Sequence, residues 1–337
     1  MANSIKQVWR DYDVEISTSA TTLNYDITDG QYIIYQGKAA KRPNANTINI
    51  RLSDFVKSTL NSDVDINWNS MNSNVAYKLH NYTKTFNIKN GANNISQPIA
   101  FYNSYDYNNV RDLENAIEVI SAPITNKIAI NMPLFFTVYI DNGLSGSYSN
   151  LLIIQDENGN RFGQISLNEG NGAYLIVVGT QDMDTDKKYE IVMGGMVRYR
   201  FEVVDSCNQY SLYYQNATGG YDCYPINGKR NIEVDDVEYE TYRVMGNNTN
   251  PNDPYNRRFQ SNITKQWELH TGWLSDEESG KMYNILTSHK VWLYDSLHFT
   301  PVIITDKKVE YKTFTNEGRK KYYYTINVES ANSIKKL

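Results

Sequence analysis

Three aspartates at alternate positions, Asp182, Asp184 and Asp186, form a D-x-D-x-D run, the opening of a calcium loop. Lys187 stands where such a loop needs glycine for its sharp turn, and Met193 stands where it needs a bidentate glutamate. The run therefore reads as a solvated hairpin tip. His80, His270, His289 and His298 never fall four residues apart, and Cys207 and Cys223 are not in a CxxC pair, so zinc ligation has no pattern here. A nucleophile elbow, a P-loop and a G-x-G-x-x-G are all missing; Gly194-Gly195 and Gly219-Gly220 follow strand-like runs without the rest of a phosphate signature. Carboxylate pairs such as Asp235-Asp236 and Glu277-Glu278 are ordinary surface features unless a cleft sets them ~5–9.5 Å apart. The expectation is no enzyme, no cofactor and no metal.

Binding chemistry is sparse too. With 33 Lys+Arg against 38 Asp+Glu the net charge is −5, which lacks the basic footprint of a nucleic-acid binder. GRKKYYY at 318–324 interleaves cations with aromatics that could stack on bases, but it reads better as a turn entering an edge strand. Five N-x-S/T sequons (Asn81, Asn94, Asn216, Asn247, Asn262) are what asparagine excess generates by chance. No apolar run reaches the ~18–20 residues of a membrane span, and the N-terminus carries no apolar leader.

The elements that would carry any site are strands. Asparagine supplies about 40 of 337 residues, which suits tight turns. Tyrosine reaches 28 against ten Phe, which suits half-buried sheet faces and protein interfaces. Asp29-Gly30 and Asn158-Gly159 mark hairpins, and Ile48, Ile50 and Leu52 alternate along TINIRL. Ser53 is placed to cap a short helix DFVKSTL, and the stretch NSDVDINWNSMNSNVAY reads as loop. MGNNTNPNDPYNRR at 245–258 reads as an exposed loop. Ser275 and Glu278 form a capping box ahead of the apolar stripe Met282, Ile285 and Leu286. The expected fold is mainly β: two or three β-sandwich domains, immunoglobulin-like or jelly-roll-like, with one helix near 275–288. Boundaries fall at 1–120, 121–205 and 206–337.

Three stretches carry a resemblance. Residues 32–56, YIIYQGKAAKRPNANTINIRLSDFV, hold I-Y-x-G-x-A-x-[KR]-P followed by an I-x-I strand. Residues 210–228, YSLYYQNATGGYDCYPING, hold L-Y-Y-x-N-x-x-G-G-[WY]-D. The most specific, residues 267–331, holds T-G-W-L-[ST]-D-E-E, then S-x-x-V-[WY]-L, then P-V-I-I-T-D. Together they resemble virion proteins encoded among the tail genes of Bacteroidetes-infecting phages, including crAss-like podoviruses. The likeness is weakest over 57–100 and 121–200. It implies a ring, collar or hub protein of the tail, assembled in the host cytoplasm as several copies beside other tail or portal-proximal proteins. It implies no membrane insertion and no sequence-specific nucleic acid. The alternative is a carbohydrate- or receptor-binding module. No catalytic residue carries over; Tyr210, Tyr213, Tyr214, Gly219, Gly220, Asp222 and Trp273 are expected to be architectural or to serve an interface. Trp273 lies near the position of a hydrophobic staple.

Overall fold

The computed structural model describes residues 5–8, 11–68, 73–104, 112–113, 116–141, 150–167, 170–205, 210–228, 232–243, 256–295, 297–306, 322–332 and 334–336. The loop at 245–255, Cys207 and the 318–321 part of GRKKYYY lie outside them. The protein is mainly β, with several antiparallel-rich sheets and a few short helices. No helix among the described residues is long and apolar enough to cross a membrane.

Two compact units make up the chain. The first comprises Met1–Ala122, Ile130–Val204 and Gln215–Asp222; the second comprises Pro123–Ala129, Asp205–Tyr214 and Cys223–Leu337.

In the first unit, strands Lys6–Gln7, Ile99–Tyr102, Thr83–Asn90, Thr22–Asp29 and Tyr32–Ala40 lie side by side in that order. The hairpin foreseen at Asp29-Gly30 forms: Asp29 pairs with Tyr32 across a two-residue loop, and Gly30 takes the left-handed conformation (φ 59°). Asp13–Ser17 pairs with Thr47–Arg51, and the period-two pattern holds because Ile48, Ile50 and Leu52 all fall inside. These residues join Phe86, Ile88, Phe101, Ile16 and Val56 in one apolar core. Another sheet sets Leu134–Ile140 against Gly172–Val178, and a further one runs Met196–Val204, Lys187–Met193, Leu151–Asp156, Arg161–Ser166. Leu134–Ile140 and Gly172–Val178 are almost wholly buried, which explains why they are near-continuous apolar runs instead of alternating ones.

Two expectations are corrected here. Ser53 is the first residue of helix Ser53–Val56 rather than its cap, and Leu52 holds the cap position with no side-chain bond. The Ser53 hydroxyl instead accepts the Tyr12 amide at 3.4 Å. Ser and Thr hydroxyls serve any nearby backbone donor, so the tertiary neighbour won. The second concerns the supposed loop through Tyr77: Val75–Lys78 is a strand paired antiparallel with Gly172–Val178. Its partner lies about a hundred residues away in sequence, beyond the reach of any local pattern.

The second unit is built on an eight-stranded sheet ordered Tyr221–Pro225, Ser211–Gln215, Val291–Tyr294, Phe299–Ile304, Tyr322–Ser330, Asn256–Leu274, Ile232–Arg243, with Ile334–Lys336 also on Asn256–Leu274. The helical part near 275–288 is two short helices, Asp276–Lys281 and Tyr283–Leu286. Its capping box forms as read: Ser275 Oγ accepts the Glu278 amide at 3.2 Å and Glu278 Oε2 accepts the Ser275 amide at 2.8 Å. Met282 and Ile285 enter a core with Tyr214, Tyr224, Trp267, Leu269, Leu293 and Val328.

Candidate functional site

The densest polar constellation surrounds the turn Gln215–Asp222 of the first unit. Every residue from Ser211 to Ile226 is buried, an unusual environment for a tight turn. A buried turn must find partners for its backbone, and this one finds them in side chains. Asn216 is the hub: its Oδ1 accepts the amides of Thr218 (3.0 Å) and Gly220 (2.9 Å). Its Nδ2 donates to the Ile120 carbonyl at 3.1 Å and to Asp222 Oδ2 at 2.8 Å. The same carboxylate oxygen accepts the Ala122 amide at 2.9 Å. Thr137 Oγ1 accepts the Tyr221 amide (2.8 Å) and donates to the Tyr221 carbonyl (3.1 Å). Around the rim, the Tyr82 hydroxyl donates to the Thr218 carbonyl (3.0 Å) and the Tyr221 hydroxyl to the Ser62 carbonyl (2.6 Å).

Both glycines are required, for different reasons. Gly219 has φ +80°, and a Cβ there would lie 2.2 Å from the Asn103 carbonyl oxygen. Gly220 needs no left-handed backbone, but its Cβ would lie 2.8 Å from Ile120 Cγ2 and 2.9 Å from Thr137 Cβ. Asn216 and Thr218, the hub of this network, were not among the residues singled out by sequence. The available signal was the N-x-T spacing, which in a turn places the asparagine oxygen on the amide two residues on. As a sequon it is idle, since Asn216 is fully buried.

The other singled-out residues lie in the second unit. Tyr213 and Tyr214 are buried. Tyr213 makes edge contacts with Tyr294 (ring centroids 6.1 Å) and Phe299 (5.0 Å), and burial pushes its hydroxyl far above the ordinary tyrosine value. Tyr210 is half-buried, with its hydroxyl 3.4 Å from Glu233 Oε2. Trp273 is 71% exposed. A register shift between His270 and Trp273, with Gly272 at φ +76°, interrupts the ladder and turns the indole outward. The Thr271 hydroxyl makes good the interruption by accepting the Tyr324 amide at 3.0 Å. The buried position just ahead of the Ser275 cap belongs to Leu274.

Groups of other potential chemistry are tied into the fold. Asp184 pairs with Lys187, and Asp186 occupies a left-handed turn position (φ 60°). No group of three or more His, Cys, Asp or Glu among the described residues could hold a metal ion. A groove of about 740 Å³ runs between Tyr12–Glu15 and Asn94–Ile99. Its Asp13 carboxylate is engaged by Arg51 Nε at 3.2 Å. Asp156 closes the Asn158-Gly159 hairpin by accepting the amides of Asn158 (2.9 Å) and Asn160 (2.8 Å). With the Asn160 side-chain amide on its second oxygen, these bonds hold its carboxyl below the ordinary aspartate value.

No family model matches the chain, and no curated protein does. Among solved structures it is similar to "Biofilm associated protein - BSP domain", at 12% identity and TM-score 0.17, over 61% of this chain and 29% of that one. It is also similar to "Crystal structure of the S-layer protein SbsC domains 4 and 5", at 13% identity and TM-score 0.17, over 55% of this chain and 100% of that one.

Proposed function

We propose that this chain is a non-enzymatic structural component of a bacteriophage virion tail, a ring, collar or hub protein that works as a homo-oligomer beside other tail or portal-proximal proteins. The observation that carries the reading is the set of three stretches at 32–56, 210–228 and 267–331, and above all the last. Two of them supply scaffold: 210–228 gives the buried hairpin, and 267–331 gives the capped helices and the strands around them. Tyr213, Tyr214, Gly219, Gly220 and Asp222 in these stretches are held by packing and hydrogen bonds in the interior, as a load-carrying part requires. Large aromatic faces left outside, including Tyr32 (80% exposed) and Tyr239 (53%), are of the kind that protein interfaces use. Mass spectrometry of purified phage particles tests the reading: the chain is expected in the virion at several copies, and its absence overturns the assignment.

A second reading is favoured by one feature. Trp273, aimed outward by a bulge, is a stacking platform of the sort that sugar rings use. A carbohydrate- or receptor-binding module would give a glycan-array signal lost in Trp273→Ala, whereas a purely structural tail part would give none.

A further inference from the structure

We propose that two edge strands of opposite character pair between copies: strand Ile232–Arg243 of one copy adds, backbone to backbone, to the outer edge of strand Tyr32–Ala40 of a second. The inference rests on the homo-oligomeric reading above and names the interface it would use. Both strands end their sheets, and among the described residues no strand pairs with the outer edge of either. An open edge presents a row of unpaired N–H and C=O groups, and proteins blunt it with charge, proline or brevity. Strand Tyr32–Ala40 is nine residues long, has no proline and carries only one charge, Lys38. It also exposes Tyr32, Ile33 and Tyr35. Such an edge is a template for another strand.

Strand Ile232–Arg243 is its complement. Residues 233–241 are exposed on both faces of the strand, although one side of it is paired along its length with Asn256–Leu274. The run carries five carboxylates (Glu233, Asp235, Asp236, Glu238, Glu240) and no cation. Interspersed are the exposed apolar residues Val234, Val237 and Tyr239. Self-pairing of two such strands would set carboxylates across from each other, which is unfavourable. The opposite edge suits it: residues 32–42 carry Lys38, Lys41 and Arg42 and no carboxylate. Lys41 reaches the Thr18 carbonyl, while Lys38 and Arg42 face solvent. Charge therefore disfavours one like pairing and favours the mixed one, and joining two different patches is the heterologous contact from which rings are built.

Full-length chains with Cys207 replaced by serine and the buried Cys223 kept test this, as variants with one added cysteine, Gln36→Cys or Glu238→Cys, treated with a short bismaleimide; Lys38→Cys and Asp236→Cys form a second set. Circular dichroism confirms folding of each. The expected result is cross-linked dimer when one strand's variant is mixed with the other's, on the order of tenfold above either variant alone. Asp235→Lys with Glu240→Lys in the Glu238→Cys chain is expected to lower the mixed yield by roughly the same factor, and Lys38→Glu with Arg42→Glu in the Gln36→Cys chain to restore it. Self-cross-linking of Gln36→Cys at equal yield overturns the proposal in favour of a symmetric pair of the 32–40 edges. Indifference to charge reversal, or no cross-link at the highest attainable concentration, overturns it as well. None of these outcomes touches the virion assignment, which falls only if the chain is absent from particles.

Discussion

Two hairpins of the C-terminal half have similar compositions and opposite fates. The turn between Ser211–Gln215 and Tyr221–Pro225 is polar and tyrosine-bearing, yet wholly buried. The strand Ile232–Arg243, also polar and tyrosine-bearing, is exposed over 233–241. The difference lies in what kind of polarity each carries. Asn, Thr and Gly are satisfied by neutral bonds, and the one carboxylate of the first turn, Asp222, accepts from the Ala122 amide and the Asn216 side chain, so the turn can be buried. Five carboxylates cannot be desolvated together, so the second strand stays in water. Burial here follows how well polar atoms can be paired, more than how polar the segment is.

That contrast can be broken at chosen points. The largest effect is expected from Gly219→Ala, where a left-handed backbone and a 2.2 Å approach to Asn103 combine. Urea unfolding should show a loss of about 3–4 kcal/mol. Gly30→Ala, with similar φ but open space around it, should cost about 1 kcal/mol. Equal losses at the two sites would mean that the buried approach counts for nothing. Next comes Asn216→Ala, which strands the Thr218 and Gly220 amides in the interior and should cost about 2–3 kcal/mol by the same measurement. Ser275→Ala removes one arm of the capping box and should cost about 1 kcal/mol in thermal or urea melts.

Asp156 gives a pH signature. Its carboxyl is held below its ordinary value of 3.8, so the native state binds its proton less readily than the unfolded chain. The stabilisation is therefore complete above that ordinary value and is lost as pH falls through the lower native value. Asp156→Asn should flatten this part of the acid limb of the stability–pH curve and leave neutral-pH slopes alone. An unchanged acid limb would show that the hairpin does not depend on the charged form. Smallest of all is Glu238→Gln on the exposed strand, expected within about 0.5 kcal/mol of wild type in monomer stability. A larger loss would mean that the carboxylate has a partner within its own chain.

Much of the local architecture was legible in the residues. Asp29-Gly30 and Asn158-Gly159 turn where their left-handed glycines allow, and the Ser275–Glu278 box closes on the helix it announces. These signals act over a few residues, so the sequence carries them whole. Of the polar network, Gly219 could be picked out because the turn needs a left-handed residue there, whereas Gly220 and Asp222 stood in the motif but act through Ile120, Thr137 and Ala122. Asn216 offered only its N-x-T spacing, because the rest of its role depends on Ile120 and Asp222 lying beside it. Trp273 was visible as a large aromatic near a cap, but its exposure depends on a bulge at Gly272 that pairing with Tyr322–Ser330 creates.

The sequence alone determined that this is a chain of strands with tight asparagine- and glycine-closed turns, a capped helical segment at Ser275 and a net charge of −5. Backbone preference and hydrophobic period act over a few neighbours and need no fold to be read. Tertiary structure decided which strands meet, sending Val75–Lys78 to Gly172–Val178 and leaving Tyr32–Ala40 and Ile232–Arg243 at the ends of their sheets among the described residues. It also decided which polar turn went inside. Both outcomes depend on contacts between residues far apart in the chain, where the cost of an unpaired buried group is met or not met only once the whole fold has formed.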